Sequence, residues 1–204
     1  MSVILVEGGK KLSGALTVQG AKNSVLPMLA ATVLCPGVCC MKGCPELSDV
    51  ETAGQIIRHL GGEVHREGPD LVVDTRNISA CEIPRELMCR MRSSVMFLGA
   101  ILARCGEAVC SQPGGCDLGP RPIDLHLHAL RALGAQIKEE NGRLHCRCGK
   151  LRGAEIFLQI PSVGATENAM LAACQAEGTT VISNAAREPE IVELQEFLRA
   201  MGAS

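Results

Sequence analysis

The sequence predicts an α/β protein built by repetition: units of roughly 70 residues, each helix, strand, loop, helix, strand, strand, packed about a pseudo-threefold axis. Three observations carry this reading. First, three segments end alike: Arg58-His59-Leu60-Gly61-Gly62, Arg131-Ala132-Leu133-Gly134-Ala135 and Arg199-Ala200-Met201-Gly202-Ala203, with their first glycines 73 and 68 residues apart. Second, a glycine lies upstream of each, at Gly37, Gly106 and Gly178, spaced 69 and 72. Third, two of the stops lead into paired strand-like runs joined by turn residues, Gly68-Pro69 in one and Asn141-Gly142 in the other. Asn-Gly between apolar runs is a strong hairpin signal.

Taken in order, each unit opens with an apolar helix: about 24–34, 84–104 and 166–176. These are apolar nearly all round, which suits an interior position. A short strand follows each upstream glycine, at Val38-Cys39-Cys40-Met41, Ala108-Val109-Cys110-Ser111 and Thr179-Thr180-Val181-Ile182. An amphipathic helix comes next. In the first, Leu47, Val50, Ala53, Ile57 and Leu60 recur at helical spacing, and Ser48 with Glu51 reads as a capping box. Pro122 and Pro189 stand where the first helical residue of the other two belongs. The glycine of each stop then supplies a left-handed cap. Hairpins are expected over 63–65 with 71–74, and over 135–139 with 143–148. Lys11-Leu12-Ser13-Gly14-Ala15 reappears as Lys150-Leu151-Arg152-Gly153-Ala154. The last unit is expected to be truncated, because Gly202-Ala203-Ser204 stands where the others begin their hairpins. The loops between strand and helix would meet at one end, a sensible place for a site.

Composition narrows the function. The 204 residues carry 20 Lys+Arg against 22 Asp+Glu, a formal charge of −2. That balance argues against general nucleic-acid binding. There is no Trp or Tyr, so no aromatic platform for stacking bases and no interfacial belt. The apolar run 95–103 is too short to span a bilayer, and Pro27 and Pro36-Gly37 interrupt the run 25–41. No signal peptide is evident, so a soluble cytoplasmic protein is expected. The twelve cysteines are accordingly read as reduced thiols. Cys35, Cys39, Cys40 and Cys44 form the one tight group; its reading as small core residues stands beside an alternative as a metal-binding module. His126 and His128, two apart on a predicted helix, make a poor metal pair.

The second loop is the longest: Pro113-Gly114-Gly115-Cys116-Asp117-Leu118-Gly119-Pro120-Arg121-Pro122-Ile123-Asp124-Leu125-His126. Two glycines suit a lid. A thiol with a guanidinium five positions on suits reactivity, because a nearby cation favours thiolate. With Gly20-Ala21-Lys22-Asn23, Met91-Arg92-Ser93-Ser94, Ser162-Val163-Gly164-Ala165-Thr166 and Asn184-Ala185-Ala186-Arg187-Glu188-Pro189-Glu190, this loop resembles the UDP-N-acetylglucosamine 1-carboxyvinyltransferase family of enolpyruvyl transferases. The motifs occur in register along essentially the whole chain. The Gly-Asn-Ala-Gly-Thr stretch of the sister family of aromatic amino-acid synthesis is absent.

The resemblance implies an inside-out α/β barrel of the enolpyruvyl transferase type. It implies that residues 1–21 belong to a second domain, mostly missing here, and that 22–204 form the domain carrying the catalytic loop. It implies transfer of enolpyruvyl from phosphoenolpyruvate to the 3′-hydroxyl of UDP-N-acetylglucosamine, releasing phosphate, the first committed step of peptidoglycan synthesis. No metal or redox cofactor is implied. Cys116 would protonate the methylene carbon, form an adduct with phosphoenolpyruvate and be the thiol that fosfomycin alkylates. Lys22, Asn23 and Arg121 would bind phosphoenolpyruvate. Arg92, Arg121, Pro122, Ile123, Asp124, Leu125, Ser162, Val163 and Gly164 would bind the nucleotide sugar. Several of these residues also have plainer readings. Asn23 stands where an N-cap belongs, Asp124 is a first-turn carboxylate, and Glu188 and Glu190 read as structural; Arg92, near the middle of an apolar helix, would need a partner such as the ligand if it faces inward, and is otherwise a surface arginine. A base and a further arginine of the family lie in the missing domain, so the chain alone is expected to bind rather than turn over. The alternative is a non-catalytic nucleotide-sugar-binding half-protein.

Overall fold

The computed structural model describes residues 3–113 and 122–204. Residues 3–20 form neither helix nor strand and are exposed throughout. The ordered elements begin with α1 (Lys22–Ala31), a 3-10 turn (Thr32–Leu34) and β1 (Val38–Met41). Then come α2 (Ser48–His59), β2 (Glu63–Glu67) and β3 (Asp70–Asp74). Next are α3 (Arg85–Met88), a 3-10 turn (Arg92–Val95), α4 (Met96–Cys105) and β4 (Glu107–Ser111). They are followed by α5 (Asp124–Ala132), β5 (Gln136–Glu140) and β6 (Arg143–Arg147). The last are β7 (Glu155–Phe157), α6 (Val163–Ala173), β8 (Val181–Ser183) and α7 (Pro189–Ala200).

Two sheets have the same order. β3 lies between β1 and β2, and β6 lies between β4 and β5, all antiparallel. In register, Val38 faces Asp74, Glu63 faces Asp74, and both Glu107 and Gln136 face Arg147. Alternation decides which face is covered: Leu71 and Val73 of β3, and Leu144 and Cys146 of β6, point to the core. Burial pushes the Cys110 thiol up to about 12 and the Cys146 thiol up to about 11, so both behave as small apolar residues. β7 and β8 pair in parallel, with Glu155 opposite Val181.

The three apolar helices α1, α4 and α6 touch one another in the interior. Ala30, Ala31, Ala100, Ala165, Ala169 and Ala172 are fully buried there, and such small residues let helix axes come close. Carbonyls left over at the end of α1 are taken up by side chains: Arg104 donates to Val33 O at 3.1 Å and Gln175 to Leu34 O at 3.2 Å.

All three helix stops close in one way. Gly61, Gly134 and Gly202 have φ of 104°, 97° and 103°, the left-handed region that favours glycine. In each the glycine N–H returns to the Arg three positions back, and the next N–H reaches five back: Gly62 to Ile57, Ala135 to Leu130, Ala203 to Leu198. This doubly bonded pattern is the Schellman cap.

Four local expectations need correction. The helix expected over 84–104 is broken into α3, a 3-10 turn and α4. Ser94 Oγ lies 2.9 Å from Met88 O and 2.8 Å from Met91 O, and this side-chain bonding competes with the helix ladder. Arg92 therefore opens the 3-10 turn instead of sitting mid-helix. Ser48 is the first residue of α2 and makes no cap bond to its backbone; Leu47 holds the N-cap position in extended conformation. Asn23 lies inside α1 behind Ala21, so it is no N-cap. Pro122 precedes α5, whose N-cap is Ile123, whereas Pro189 does open α7. Among the described residues, no helix is long and apolar enough to cross a membrane.

Candidate functional site

Four stretches far apart in sequence converge on one cleft of about 650 Å³. The start of α1 contributes Asn23 and Leu26. The 3-10 turn contributes Arg92 and Ser93, with Val95 and Met96 behind them. The entry to α5 contributes Pro122, Asp124, Leu125 and His126. The entry to α6 contributes Gln159, Ile160, Ser162, Val163 and Gly164, with Glu167 deeper and Glu190 of α7 alongside.

Of the residues expected from sequence, Asn23, Arg92, Pro122, Asp124, Leu125, Ser162, Val163 and Gly164 line this cleft. Two do not. Ile123 is buried in the core as the cap of α5, because its side chain is apolar and the chain turns inward there. Lys22 lies beside the cleft with its Nζ 3.1 Å from Asp49 Oδ2, about half exposed. Cys116 and Arg121 lie outside the described residues.

The local chemistry is set by the backbone. Ser162 caps α6, its Oγ accepting from Ala165 N at 3.4 Å. An α-helix start of this kind presents free N–H groups and a partial positive charge, which favour an anion. Arg92 Nη2 donates to Pro122 O at 3.3 Å, tying the 3-10 turn to the α5 entry. Asn23 Nδ2 donates to Glu190 Oε1 at 3.4 Å, tying α1 to α7.

Two titratable groups have been moved far from their ordinary values. His126 is held down to about 4, by burial first and by the nearby Arg92 second, so it is neutral near pH 7. Glu167 is fully buried, and neither of its oxygens has a hydrogen-bond partner among the described residues. Burial, then Glu190 and Glu188, push it up to about 8. A carboxyl so placed keeps its proton near pH 7 and removes one negative charge from the cleft.

Sequence reasoning passed over Glu167 and Asn168 and gave Glu190 a structural role. The available signal was a polar pair in an otherwise apolar helix, since Glu and Asn are mostly exposed residues. His126 is buried and His128 exposed, in keeping with opposite faces of α5. Cys35, Cys39, Cys40 and Cys44 do not assemble: among the described residues no group of three or more His, Cys, Asp or Glu is arranged to hold a metal ion. Cys39 and Cys40 are successive in β1 and so point to opposite faces.

Comparison with known proteins follows the same lines. Residues 6–204 match the family model for EPSP synthase (3-phosphoshikimate 1-carboxyvinyltransferase). The chain is 53% identical over 203 residues to UDP-N-acetylglucosamine 1-carboxyvinyltransferase 2 of Caldanaerobacter subterraneus subsp. tengcongensis, covering all of this chain and 49% of that protein. It is 47% identical over 202 residues to UDP-N-acetylglucosamine 1-carboxyvinyltransferase of Desulfatibacillum aliphaticivorans, again 49% of that protein. Among solved structures, the enolpyruvyl transferase NikO of Streptomyces tendae superposes with a TM-score of 0.85 at 24% identity, over 97% of this chain and 46% of that one. EPSP synthase of Acinetobacter baumannii gives a TM-score of 0.70 at 22% identity, over 94% of this chain and 44% of that one. These two likenesses concern the fold. The chain spans about half the length of the curated relatives it matches.

Proposed function

The chain belongs to the EPSP synthase family, and from that premise we propose that it is the nucleotide-sugar-binding half of a UDP-N-acetylglucosamine 1-carboxyvinyltransferase. The whole protein would move enolpyruvyl from phosphoenolpyruvate to the sugar 3′-hydroxyl and release phosphate, in the cytoplasm, at the start of peptidoglycan synthesis. The observation that carries this is the convergence of eight expected ligand residues on one cleft. Its volume of about 650 Å³ suits a ligand the size of a nucleotide sugar.

In this reading the α6 start at Ser162-Val163-Gly164 receives the diphosphate. Arg92 supplies a guanidinium for paired oxygen acceptors, and Pro122 to Leu125 hold the base. Cys116 would deliver a proton to the methylene carbon of phosphoenolpyruvate and would be the thiol open to fosfomycin. Lys22, Asn23 and Arg121 would hold the phosphate and carboxylate. For Lys22 this means leaving Asp49, an inexpensive step because an exposed ion pair contributes only about 0–1 kcal/mol.

Two features support a missing partner domain and an inside-out barrel of three repeats. Val3, Ile4, Leu5, Val6, Leu12, Leu16 and Val18 are each more than 80% exposed, an apolar strip suited to burial against a second domain that includes residues 1–21. β8 pairs only with β7 among the described residues, whereas β1 and β4 each pair with a hairpin.

Calorimetric titration of the chain with UDP-N-acetylglucosamine tests the reading. Saturable binding is expected, with no steady phosphate release until the remaining half is supplied. Absence of saturable binding would overturn the reading. In the same titration Arg92→Ala should lose about tenfold in affinity or more, the worth of one charge-assisted contact. Arg90→Ala, whose guanidinium bonds Gln55 away from the cleft, should change nothing. In the reconstituted protein, Cys116→Ala should lower kcat by about 100-fold or more, as loss of a general acid does.

A further inference from the structure

We propose that His126 is a neutral hydrogen-bond donor of the nucleotide cleft, held by Asn168 in the tautomer that carries its proton on Nε2. The inference rests on the nucleotide-diphosphate reading of the cleft and adds to it a donor and the residue that positions it.

The argument begins at two backbone groups whose roles are fixed. The N–H of Gly99 can only donate, and it points at Asn168 Oδ1 at 2.9 Å. The carbonyl of Val95 can only accept, and it lies 3.1 Å from Asn168 Nδ2. The orientation of the Asn168 amide is therefore determined, oxygen toward Gly99 and nitrogen toward Val95. The second N–H of the same Nδ2 is directed at His126 Nδ1, at 3.2 Å. A nitrogen that receives a donor presents its lone pair, so Nδ1 bears no proton. A neutral imidazole then carries its proton on Nε2.

The free end of the ring faces the ligand. His126 lines the cleft, and no residue among those described hydrogen-bonds its Nε2. A Cβ built on Gly164 would come within 3.0 Å of His126 Cε1 and 3.3 Å of Nε2, which places the imidazole edge against the first turn of α6. That turn is where the helix start attracts an anion. The acceptor is thus an oxygen of the bound nucleoside diphosphate. Asn168 is fully buried and joins α4, α5 and α6 through these three bonds. It touches no ligand; it is a positioning residue.

The test is two-bond proton–nitrogen correlation on the ¹⁵N-labelled chain, with and without uridine diphosphate. The expected spectrum shows His126 protonated at Nε2 and bare at Nδ1, and saturating uridine diphosphate shifts the Nε2 resonance. His126→Leu should weaken binding about tenfold, while His126→Gln, which keeps an N–H near the same place, should restore most of it. Asn168→Asp removes both donors and should move the His126 proton to Nδ1; if that variant fails to fold, the parent spectrum still decides. A parent imidazole protonated at Nδ1 overturns the proposal. So does an Nε2 resonance unmoved while uridine diphosphate binds, which would leave the nucleotide reading intact. Failure of uridine diphosphate to bind at all would refute the nucleotide reading and the donor role together.

Discussion

Replacing Glu167 by Gln is expected to leave the chain progressively more stable than its parent as pH rises from 4.5 to about 8, the span between the ordinary and the folded value of this carboxyl. Glu167 has its folded value raised. The folded chain therefore holds a proton that the unfolded chain has released, and stability is complete below the unfolded value and lost as pH rises through the folded one. The slope is about 1.4 kcal/mol per pH unit, so the loss reaches about 3 kcal/mol at pH 7. Gln has nearly the same shape and does not titrate. Its amide is unpaired in the same place, which fixes an offset between the two proteins but adds no slope. Urea midpoints at pH 5, 6, 7 and 8 read the difference directly. Parallel curves would mean that Glu167 is ionised in the fold and that water or a cation satisfies it. The titration of His126 is present in both proteins and cancels. Its own folded value is depressed, so its contribution is complete above about 6.5 and lost as pH falls toward about 4. This costly carboxyl lines the cleft together with Glu190, and the charges of Glu190 and Glu188 help to keep its proton on. Held neutral, it adds no third negative charge where an anionic ligand is proposed to lie.

What the sequence shows of this molecule is mostly local. The three Schellman caps, the strands after Gly37 and Gly106 and both hairpins are written in short windows, where glycine at positive φ or Asn-Gly dictates the turn. The break between α3 and α4 was invisible because one hydroxyl, Ser94 Oγ, decides it, and its alternative bonding appears only once the chain is folded. The cleft was half legible. Arg92, the α5 entry and the α6 entry could be assigned by motif. Their meeting place with Asn23 and Glu190 depends on which helices pack together, and a single sequence does not state that. Glu167, Asn168 and His126 were hidden for a related reason. Each is a polar residue turned inward on an apolar or amphipathic helix. The partners that justify Asn168 and His126 lie 42 to 73 residues away. Lys22 illustrates the converse: its motif assigns it to the site, and Asp49 of α2 draws its ammonium aside in the fold.

The largest loss of stability is expected from Gly99→Ala in α4. A Cβ there would lie 2.2 Å from Asn168 Oδ1 and 2.8 Å from the Asn168 carbonyl oxygen, far inside any tolerable contact. The first clash can be relieved if the side chain moves; the second is with the backbone of α6 and requires the two helices to separate. Separation opens space around Phe97, Leu98 and Leu102, all nearly or fully buried. Overpacking of this kind costs about 1–3 kcal/mol, and the loss of the Asn168 bonds to Gly99 and Val95 adds about 1–3 more. A fall of about 3 kcal/mol or more in the urea-derived stability is therefore expected. Asn168→Ala in the Gly99→Ala background should recover part of it, and the coupling in that double-mutant cycle measures the side-chain share. Additive losses would mean that the helices already yield at this point and that Gly99 is not a contact glycine. The same substitution reaches the cleft. Asn168 is the residue through which α4 sets the imidazole of His126, so a folded Gly99→Ala protein should also lose affinity for uridine diphosphate. No residue of the cleft itself would have been changed, and the loss would show that the α4–α6 approach and the donor at the α6 entry are one mechanical unit.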